Sequence, residues 1–265
     1  MDNLHRELAP VSSAAWSQIE EEVARTFRRL VAGRRVVDVE EPGGIALAAV
    51  GTGRQRSITA PRETVRTQLR EVKALVELTA PFTLRRDAVD AVERGANDSD
   101  WQPAKDAARE LAFTEDQAIF DGYGAAGIVG IREGSSNGQV ALPDDVDDYP
   151  AAVGHALEQL RLAGVDGPYA VVLGADAYTT LFQGNNDGYP IVEHVKHIVN
   201  GDLVWAPAIA GGCVLSTRGG DFELRLGQDL SIGYFGHTED SVHLYLRETL
   251  TFLMLTSEAS VTIRG

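Results

Sequence analysis

Hydrophobic and polar residues alternate along the C-terminal part of the chain with the period of a half-buried β-strand. The alternation covers residues 222–226 and 230–234, and Gly227 interrupts it between the two runs. An isolated glycine in such a run indicates a bulge or a close approach of another backbone segment. We therefore predict two strand segments joined by a bend.

The alternation resumes beyond the turn-rich residues 236–240. It covers residues 242–252, which predicts a hairpin, and a last short alternating segment follows at 259–263. We expect the whole stretch 218–263 to form antiparallel sheet with one polar face.

Other segments have the period of amphipathic helices. The first helix is predicted after Ser12 or Ser13, because apolar residues between positions 16 and 30 fall on one face. Gly33 is expected to end this helix in a left-handed conformation, and residues 34–39 are expected to form a strand. Further helices are predicted at 101–122 with Asp98 or Ser99 as its cap, at 153–160 and at 191–199, and further strands at 169–173, 203–205 and 214–216.

A basic segment at 51–73 stands out in a chain whose formal charge is -15. It contains Arg54, Arg56, Arg62, Arg66, Arg70 and Lys73, against two acidic residues. A solvated hairpin accounts for this composition, and so does an arm that docks on an acidic surface, including that of a second copy. Alternation at 72–78 predicts that the segment returns as a strand.

The composition is that of an ordinary globular protein, with 44% hydrophobic and 24% charged residues in a chain of 265. The negative charge argues against a general binder of nucleic acid or of anionic membranes, since either contact needs positive potential. No apolar run has the length of a membrane span, and the N-terminus lacks the pattern of a signal peptide. Because the single cysteine cannot form an internal disulfide, a reducing cytoplasm is the expected location.

Three local patterns suggest chemistry, and their context argues against it. The glycines at 122–127 match a dinucleotide fingerprint but follow a predicted helix instead of opening one, so we interpret them as a helix terminator. Glu193, His194 and His197 are metal-ligand types without a further ligand, and we expect an exposed polar face there. Cys213 lies in an apolar strand and is interpreted as a core residue. We predict no catalytic site, no metal site and no enzyme activity.

Short motifs along the whole chain match one protein family. They are Leu8-Ala9-Pro10 with Trp16, residues 33–39, 81–84 and 92–95, Glu115-Asp116 with Ile119-Phe120, residues 167–169, 188–190, 218–222 and 226–234, and Glu248-Thr249 with Phe252. On these motifs and their order, the chain resembles the encapsulins, the shell proteins of bacterial nanocompartments.

The resemblance implies an α+β chain with the fold of tailed-phage major capsid proteins, many copies of which build a closed icosahedral shell. It divides the chain into an N-terminal helix with the start of the peripheral domain (1–44), an extended loop (45–78), a peripheral domain with a spine helix (79–125), an axial domain (126–218), and a return to the peripheral sheet with a C-terminal strand (219–265).

The resemblance also implies contacts between subunits. The extended loop pairs with a neighbouring subunit, which favours the docking arm as the interpretation of Arg54, Arg56, Arg62 and Arg66. A loop of the axial domain becomes a pore loop, with Gly184, Asn185, Asn186, Asp187, Gly188 and Tyr189 as its residues. This polar and mildly acidic constriction is expected to favour small cations over large anions.

Encapsulin shells enclose a cargo enzyme, commonly a dye-decolourising peroxidase or a ferritin-like iron oxidase, by capturing its C-terminal peptide. The resemblance implies a groove beside the first helix and the bent sheet, with Phe27, Arg34, Asp38, Leu230 and Ile232 as contacts. Pattern alone does not separate such apolar anchors from core residues, and Arg34 with Asp38 fits a local ion pair equally well.

Some encapsulins bind flavin on an aromatic residue after the Phe-Thr-Leu motif, but Arg85-Arg86-Asp87 follows it here, so no flavin and no other cofactor is predicted. Two further functions share part of the resemblance. Similar proteins have been described as bacteriocins with proteolytic activity, and phage major capsid proteins share the fold. The missing signal pattern and catalytic set disfavour the first alternative, and the absence of a long segment before Leu8 disfavours the second.

Overall fold

The computed structural model of the chain describes residues 3–186 and 188–265. The α-helices in these residues are α1 (Ser13–Leu30), α2 (Arg86–Glu93), α3 (Gln102–Phe120), α4 (Tyr149–Leu162), α5 (Ala175–Gln183) and α6 (Ile191–Val199). The strands are β1 (Asp38–Val39), β2 (Ala49–Ile58), β3 (Thr67–Ala74), β4 (Val76–Arg85), β5 (Val140–Ala141), β6 (Tyr169–Leu173), β7 (Asn185–Asn186), β8 (Tyr189–Pro190), β9 (Asp202–Trp205), β10 (Gly212–Ser216), β11 (Phe222–Leu226), β12 (Ser231–His237), β13 (Ser241–Met254) and β14 (Ser260–Arg264).

Strand β13 is the centre of the first sheet, which has the order β1-β11-β13-β12 with β4 as a further neighbour of β13. β12 and β4 pair with the same part of β13 and therefore lie on its opposite edges. β11 pairs with the C-terminal end of β13, beyond β12. Gly227 separates β11 from β12, and its N–H donates to the Thr249 carbonyl, which confirms the predicted bend and close approach.

The second sheet has the order β5-β14-β10-β6-β9, and α4, α5 and α6 pack against it. β6 and β10 are buried along their whole length, as their unbroken apolar runs predict. The prediction of one continuous C-terminal sheet was wrong, because β14 pairs with β10 and belongs to this second sheet. Apolar alternation specified a strand at these positions, but it carries no information on the partner of that strand.

Helix α1 begins where the sequence predicts. Ser12 Oγ accepts a hydrogen bond from the Ala15 N–H at 3.2 Å and caps the first turn. The buried face of α1, which includes Ile19, Val23 and Phe27, packs on α3 and on the first sheet. This face is the stripe that the helical period predicts.

The segment after α1 differs from the prediction. Val31 ends the helix in an extended conformation, and residues 33–35 form a 3-10 turn in place of the start of a strand. Gly33 is not left-handed. It is required for space instead, because a Cβ at this position would lie 2.6 Å from Ile119 Cδ1 of α3.

Helix α3 lies between α1 and the first sheet and is the predicted long helix. Ala104, Ala108 and Leu111 form part of its buried stripe, as expected. The cap was predicted wrongly. Asp100, and not Asp98 or Ser99, accepts the hydrogen bond from the first N–H of the helix, because Trp101 occupies the position before the first turn.

Gly233 and Gly236 both lie in β12 but differ in the space around them. A Cβ on Gly233 would overlap with the Tyr245 ring, whereas a Cβ on Gly236 would meet no atom within 4 Å. We predict that Gly233→Ala lowers the free energy of unfolding by about 1–3 kcal/mol through overpacking. Gly236→Ala should change it by less than about 0.5 kcal/mol. Thermal unfolding measures both variants, and equal stabilities would contradict the packing of Tyr245 on Gly233.

Candidate interaction surfaces

The four arginines predicted for the arm lie on the hairpin of β2 and β3. These strands pair with each other and with no other strand of residues 3–186 and 188–265. Arg54 and Arg56 lie on β2, whereas Arg62 and Arg66 lie in the connection to β3, and all four are exposed. None of them makes an ion pair with another described residue. The hairpin therefore presents positive charge that its own subunit leaves uncompensated.

An acidic groove of about 630 Å³ lies between β4 and α3. Phe82 and Leu111 form part of its apolar lining, and Glu77, Asp106 and Glu110 supply carboxylates. Within the described sheets, β4 pairs only with β13, so the other edge of β4 carries unpaired backbone groups. Arg247 lies 3.4 Å from Glu77, and Arg109 lies 3.4 and 3.5 Å from Asp106 and Glu110. The acidic groove thus combines an open strand edge with three carboxylates, which two arginines of the same subunit compensate in part.

Arg34 lies at the centre of a buried cluster of carboxyl groups, which we call the Arg34 cluster. Its Nε and Nη2 donate to Glu115 at 2.8 and 2.6 Å, its Nη1 donates to Asp229 at 2.8 Å, and its Nη2 lies 3.2 Å from Glu248 Oε2. The guanidinium also lies over the Phe27 ring, 5.0 Å from the ring centroid. Arg34 therefore connects α1, α3, the bend before β12, and β13.

The Arg34 cluster contains more acids than bases, and burial decides how it is charged. Glu115 and Glu248 are both fully buried. Burial raises the pKa of Glu248 well above its usual value, and the neighbouring Glu115 raises it further. Burial opposes the charge of Arg34, but its contacts with Glu115, Asp229 and Glu248 together outweigh this effect and raise the pKa of Arg34. The raised pKa of Glu248 favours its neutral form, which lowers the repulsion between two buried carboxyls that share one guanidinium.

Asp116, next to Glu115 on α3, holds the segment that follows α1. Its carboxylate accepts hydrogen bonds from the Ala32 N–H at 2.9 Å and from the Gly33 N–H at 2.8 Å. Burial raises the pKa of Asp116 to about 7, although these two N–H groups oppose the rise. Asp116 therefore titrates near neutral pH in the folded chain.

Four of the five residues predicted to contact a guest peptide lie in one region. Phe27 and Ile232 are only 2% and 4% exposed and belong to the core between α1, α3 and the first sheet. Leu230 is half-buried against the same core. Arg34 bonds its carboxyl partners, and Leu230 is the one apolar residue of the four that is partly exposed.

Asp38 lies apart from the other four residues. Its Oδ2 accepts a hydrogen bond from the Gly220 N–H at 2.6 Å, and β1 pairs in parallel with β11. The alternative interpretation of Arg34 and Asp38 as a local ion pair is therefore wrong. The short spacing in sequence suggested it, but Arg34 points to carboxyls from distant segments, whereas Asp38 holds the turn before β11.

The predicted pore loop forms a small hairpin between α5 and α6, in which β7 pairs with β8. Gly188 adopts a positive φ of 88°, and its N–H donates to Asn185 Oδ1 at 2.7 Å. Tyr189 is 51% exposed and stacks on His194 with a centroid distance of 4.7 Å. Asp187, the acidic residue of this prediction, lies outside the described residues.

The residues that suggested chemistry in the sequence have structural roles. Gly122, with a φ of 89°, follows the end of α3, so the glycines terminate a helix as interpreted. Glu193 pairs with Lys196 at 2.7 Å, and the described residues contain no group of three or more His, Cys, Asp or Glu placed to hold a metal. Burial raises the pKa of Cys213 to about 12, consistent with a core residue. None of the described helices has the length and apolarity of a membrane span.

The Arg34 cluster was not predicted from the sequence, although signals for it were present. Glu248 lies within the largely buried strand β13, and Glu115 with Asp116 interrupts the apolar stripe of α3. Charged residues are almost never fully buried unless they are paired. Acidic residues at such positions therefore indicate buried partners, and Arg34 is the partner that the structure provides.

Comparison with known proteins gives matches over nearly the whole chain. A family described as encapsulating protein for peroxidase matches residues 1–251. Type 1 encapsulin shell proteins of Mycolicibacterium paratuberculosis and Mycobacterium tuberculosis are 59% and 57% identical to this chain over 263 residues, which cover 99% of it and 99% of each relative.

Solved structures confirm the predicted fold. The virus-like particle from Pyrococcus furiosus matches with a TM-score of 0.69 and 16% identity, over 94% of this chain and 98% of that one. The capsid of Myoviridae phage XM1 matches with a TM-score of 0.53 and 13% identity, over 86% and 89% of the two chains. At these identities the likeness shows the fold alone, which is that of phage capsid proteins.

The titration of Asp116 predicts how stability depends on pH. The folded chain retains the Asp116 proton up to about pH 7, whereas the ordinary pKa of an aspartate is 3.8. Raising the pH from about 4 to 7 therefore favours the unfolded chain. A difference of about three pKa units corresponds to roughly 4 kcal/mol of stability lost between pH 4 and pH 7.

We predict that Asp116→Asn, which keeps a side-chain acceptor for both N–H groups, removes this loss. Thermal unfolding of wild type and variant across pH 4–8 measures it, and Asp98→Asn, at an exposed position before the same helix, serves as the matched control. The control should follow the wild-type profile. An Asp116→Asn profile parallel to wild type would contradict the buried acid.

Proposed function

The chain belongs to the encapsulin family of shell proteins, and from this premise we propose that its shell captures a guest enzyme through the C-terminal peptide of that enzyme. The subunit itself is a shell protein with a capsid fold, which assembles into a large homo-oligomer. The description of the family as encapsulating protein for peroxidase supports a peroxidase as the guest. A dye-decolourising peroxidase is the class that the family resemblance implies. A ferritin-like iron oxidase is the alternative guest.

We assign the first sheet with α1, α2 and α3 to a peripheral domain and the second sheet with α4, α5 and α6 to an axial domain. The hairpin of β2 and β3 is the extended loop, which is inserted in sequence between β1 and β4 of the peripheral domain. The predicted boundaries at 45–78 and 126–218 suit this division, except that β14 returns to the axial domain. The loop of β7 and β8 then lines an opening where axial domains meet, and its exposed amides favour small cations.

The shell is proposed to reside in the cytoplasm and to carry no catalysis of its own. The residues with the most strongly shifted pKa values support a structural role, because they are the buried groups of the Arg34 cluster, Asp116 and Cys213. Catalytic acids and bases with shifted pKa values lie in clefts that a substrate can enter.

The arm of β2 and β3 is proposed to dock on the acidic groove of a neighbouring subunit. Its exposed arginines are unpaired within the described chain, and the acidic groove offers Glu77, Asp106 and Glu110 beside an open edge of β4. An extended basic hairpin suits such a site, since charge complementarity guides the encounter and the open edge accepts backbone hydrogen bonds. Each subunit would then hold the next.

The guest groove is proposed to lie between α1 and the outer edge of β12. Leu230 is the half-buried residue at its floor, and Phe27 and Ile232 support it from the core. The Arg34 cluster fixes the end of α1 against the bend before β12, so it sets the width of this guest groove. A few apolar anchors of this kind dominate peptide binding when they are well packed.

Reversing the charge of the arm tests the assembly contact. We predict that replacing Arg54, Arg56, Arg62 and Arg66 together with Glu prevents shell formation, because like charges would then face each other. Size-exclusion chromatography and negative-stain electron microscopy measure the size of the product. The matched control replaces the same four residues with Lys and should form shells, with assembly more sensitive to salt. Full-size shells from the Glu variant would contradict the docking of the arm.

Leu230 tests the guest groove in intact shells. We predict that Leu230→Asp reduces loading of a co-expressed peroxidase at least about tenfold, because it places a charge on the apolar floor of the guest groove. Leu230→Met keeps the site apolar and should load normally. The ratio of peroxidase to shell protein in purified shells is the measurement, and normal loading of the Asp variant would refute the site.

A further inference from the structure

The N-terminal segment of the described chain crosses the outer edge of β12. The Tyr234 N–H donates to the Leu4 carbonyl at 2.8 Å, Asn3 Nδ2 donates to Gln228 Oε1 at 3.2 Å, and the Tyr245 hydroxyl donates to the Asn3 carbonyl at 3.3 Å. We call residues 3–8 the strap. Its contacts with Tyr234 and Gln228 lie at the two sides of Leu230 in sequence.

The strap is fastened to α1 by contacts at the surface. Arg6 forms an ion pair with Glu20, and its guanidinium lies 4.3 Å from the centroid of the Trp16 ring. The side chains of Arg6 and Glu20 are 30% and 47% exposed, and no strap residue is buried. His5 adopts a left-handed φ of 52°, which is unfavourable for a residue with a Cβ. Such a segment is held weakly compared with the buried core.

The edge beneath the strap continues beyond it. Within the described sheets β12 pairs only with β13, so it is an edge strand. Because the N–H of Tyr234 points outward to the strap, the alternation of a strand directs the N–H and C=O of Ile232 outward as well. These groups and the side chain of Leu230 lie on the proposed guest groove, where an added strand would find backbone partners.

Helix α1 forms the opposite wall of the same groove. At one end Arg6 of the strap lies on Trp16, and at the other end Arg34 lies on Phe27 and bonds Asp229, next to Leu230. The strap therefore lies at one end of the proposed guest groove, and the Arg34 cluster lies at the other end. An extended peptide long enough to pair along β12 must meet the strap.

We propose that the strap competes with the guest peptide for the outer edge of β12. This inference rests on the proposed capture of a guest tail, and it adds the regulation of that site. The guest peptide adds to β12 as a strand, and the strap swings away from Tyr234 as it does so. The apparent affinity of a tail is then reduced by the fraction of subunits in which the strap is closed, so weakly matched tails are rejected.

Loading of a reporter tests the strap. The probe is a fluorescent protein that carries the C-terminal tail of the dye-decolourising peroxidase of the same organism, co-expressed at a level below saturation. Arg6→Ala removes the ion pair and the ring contact and should raise guest per subunit about threefold. Deleting residues 3–8 also removes the backbone bond and should raise it about tenfold. Arg25→Ala, an exposed ion-pair partner on α1 away from the strap, should load like wild type.

Hydrogen exchange of the Tyr234 amide in empty shells shows whether the strap has opened, and it should be faster in Arg6→Ala than in Arg25→Ala. If the Tyr234 amide exchanges faster in the strap variants but they load the same amount of guest as wild type, the proposed competition is wrong. Guest capture itself would still hold. Lower loading of the strap variants would also contradict the competition, because the strap would then help to bind the guest peptide. No loading of any shell, wild type included, would refute guest capture and the strap together.

Discussion

The partly buried guanidinium of Arg34 makes the contacts on which the arrangement of this subunit depends. It bonds carboxyls from α3, from the bend before β12 and from β13, and it lies on the Phe27 ring of α1. Removing one member of such a cluster would leave charge without a partner in the core, which is far more costly than losing a surface pair. The position of α1 relative to the bent sheet is therefore tightly specified, and this position shapes the proposed guest groove.

Two elements away from the Arg34 cluster lack partners among the described residues, namely the hairpin of β2 and β3 and the outer edge of β4. Within the described residues, the hairpin of β2 and β3 carries arginines without an ion-pair partner, and the outer edge of β4, beside Glu77, Asp106 and Glu110, pairs with no strand. A sheet edge and a charged hairpin of this kind are hazards for a monomer and useful contacts for a protein that assembles. A shell protein is expected to have such unpaired surfaces, because neighbouring subunits cover them in the assembled shell.

Much of the fold could be predicted from residue patterns. Helix α6 and strand β6 were predicted at their observed bounds, because strong apolar periodicity and adjacent turn residues define them. Residues 34–37 were predicted wrongly as strand because contacts from α3 decide their conformation: Asp116 accepts the N–H groups of Ala32 and Gly33, and Ile119 packs on Gly33. The partner strand of β14 could not be predicted for a similar reason, because strand pairing depends on the whole folded sheet.

The site was less predictable than the fold. Family resemblance supplied Arg34 as a residue of interest, but its partners Glu115, Asp229 and Glu248 lie 81, 195 and 214 positions away, and no local pattern connects them. The nearby Asp38 was the wrong partner for that reason. Residue spacing likewise could not show whether Phe27 and Ile232 are buried or exposed, because core residues and peptide anchors have the same periodicity.

The most direct test of the central claim is an electron cryomicroscopy map of assembled shells loaded with the tail-bearing reporter. We expect each arm to cross to the acidic groove of a neighbouring subunit, and density for an extended peptide to lie between α1 and β12, above Leu230. Arms folded back on their own subunit, or peptide density on any other surface, would contradict it.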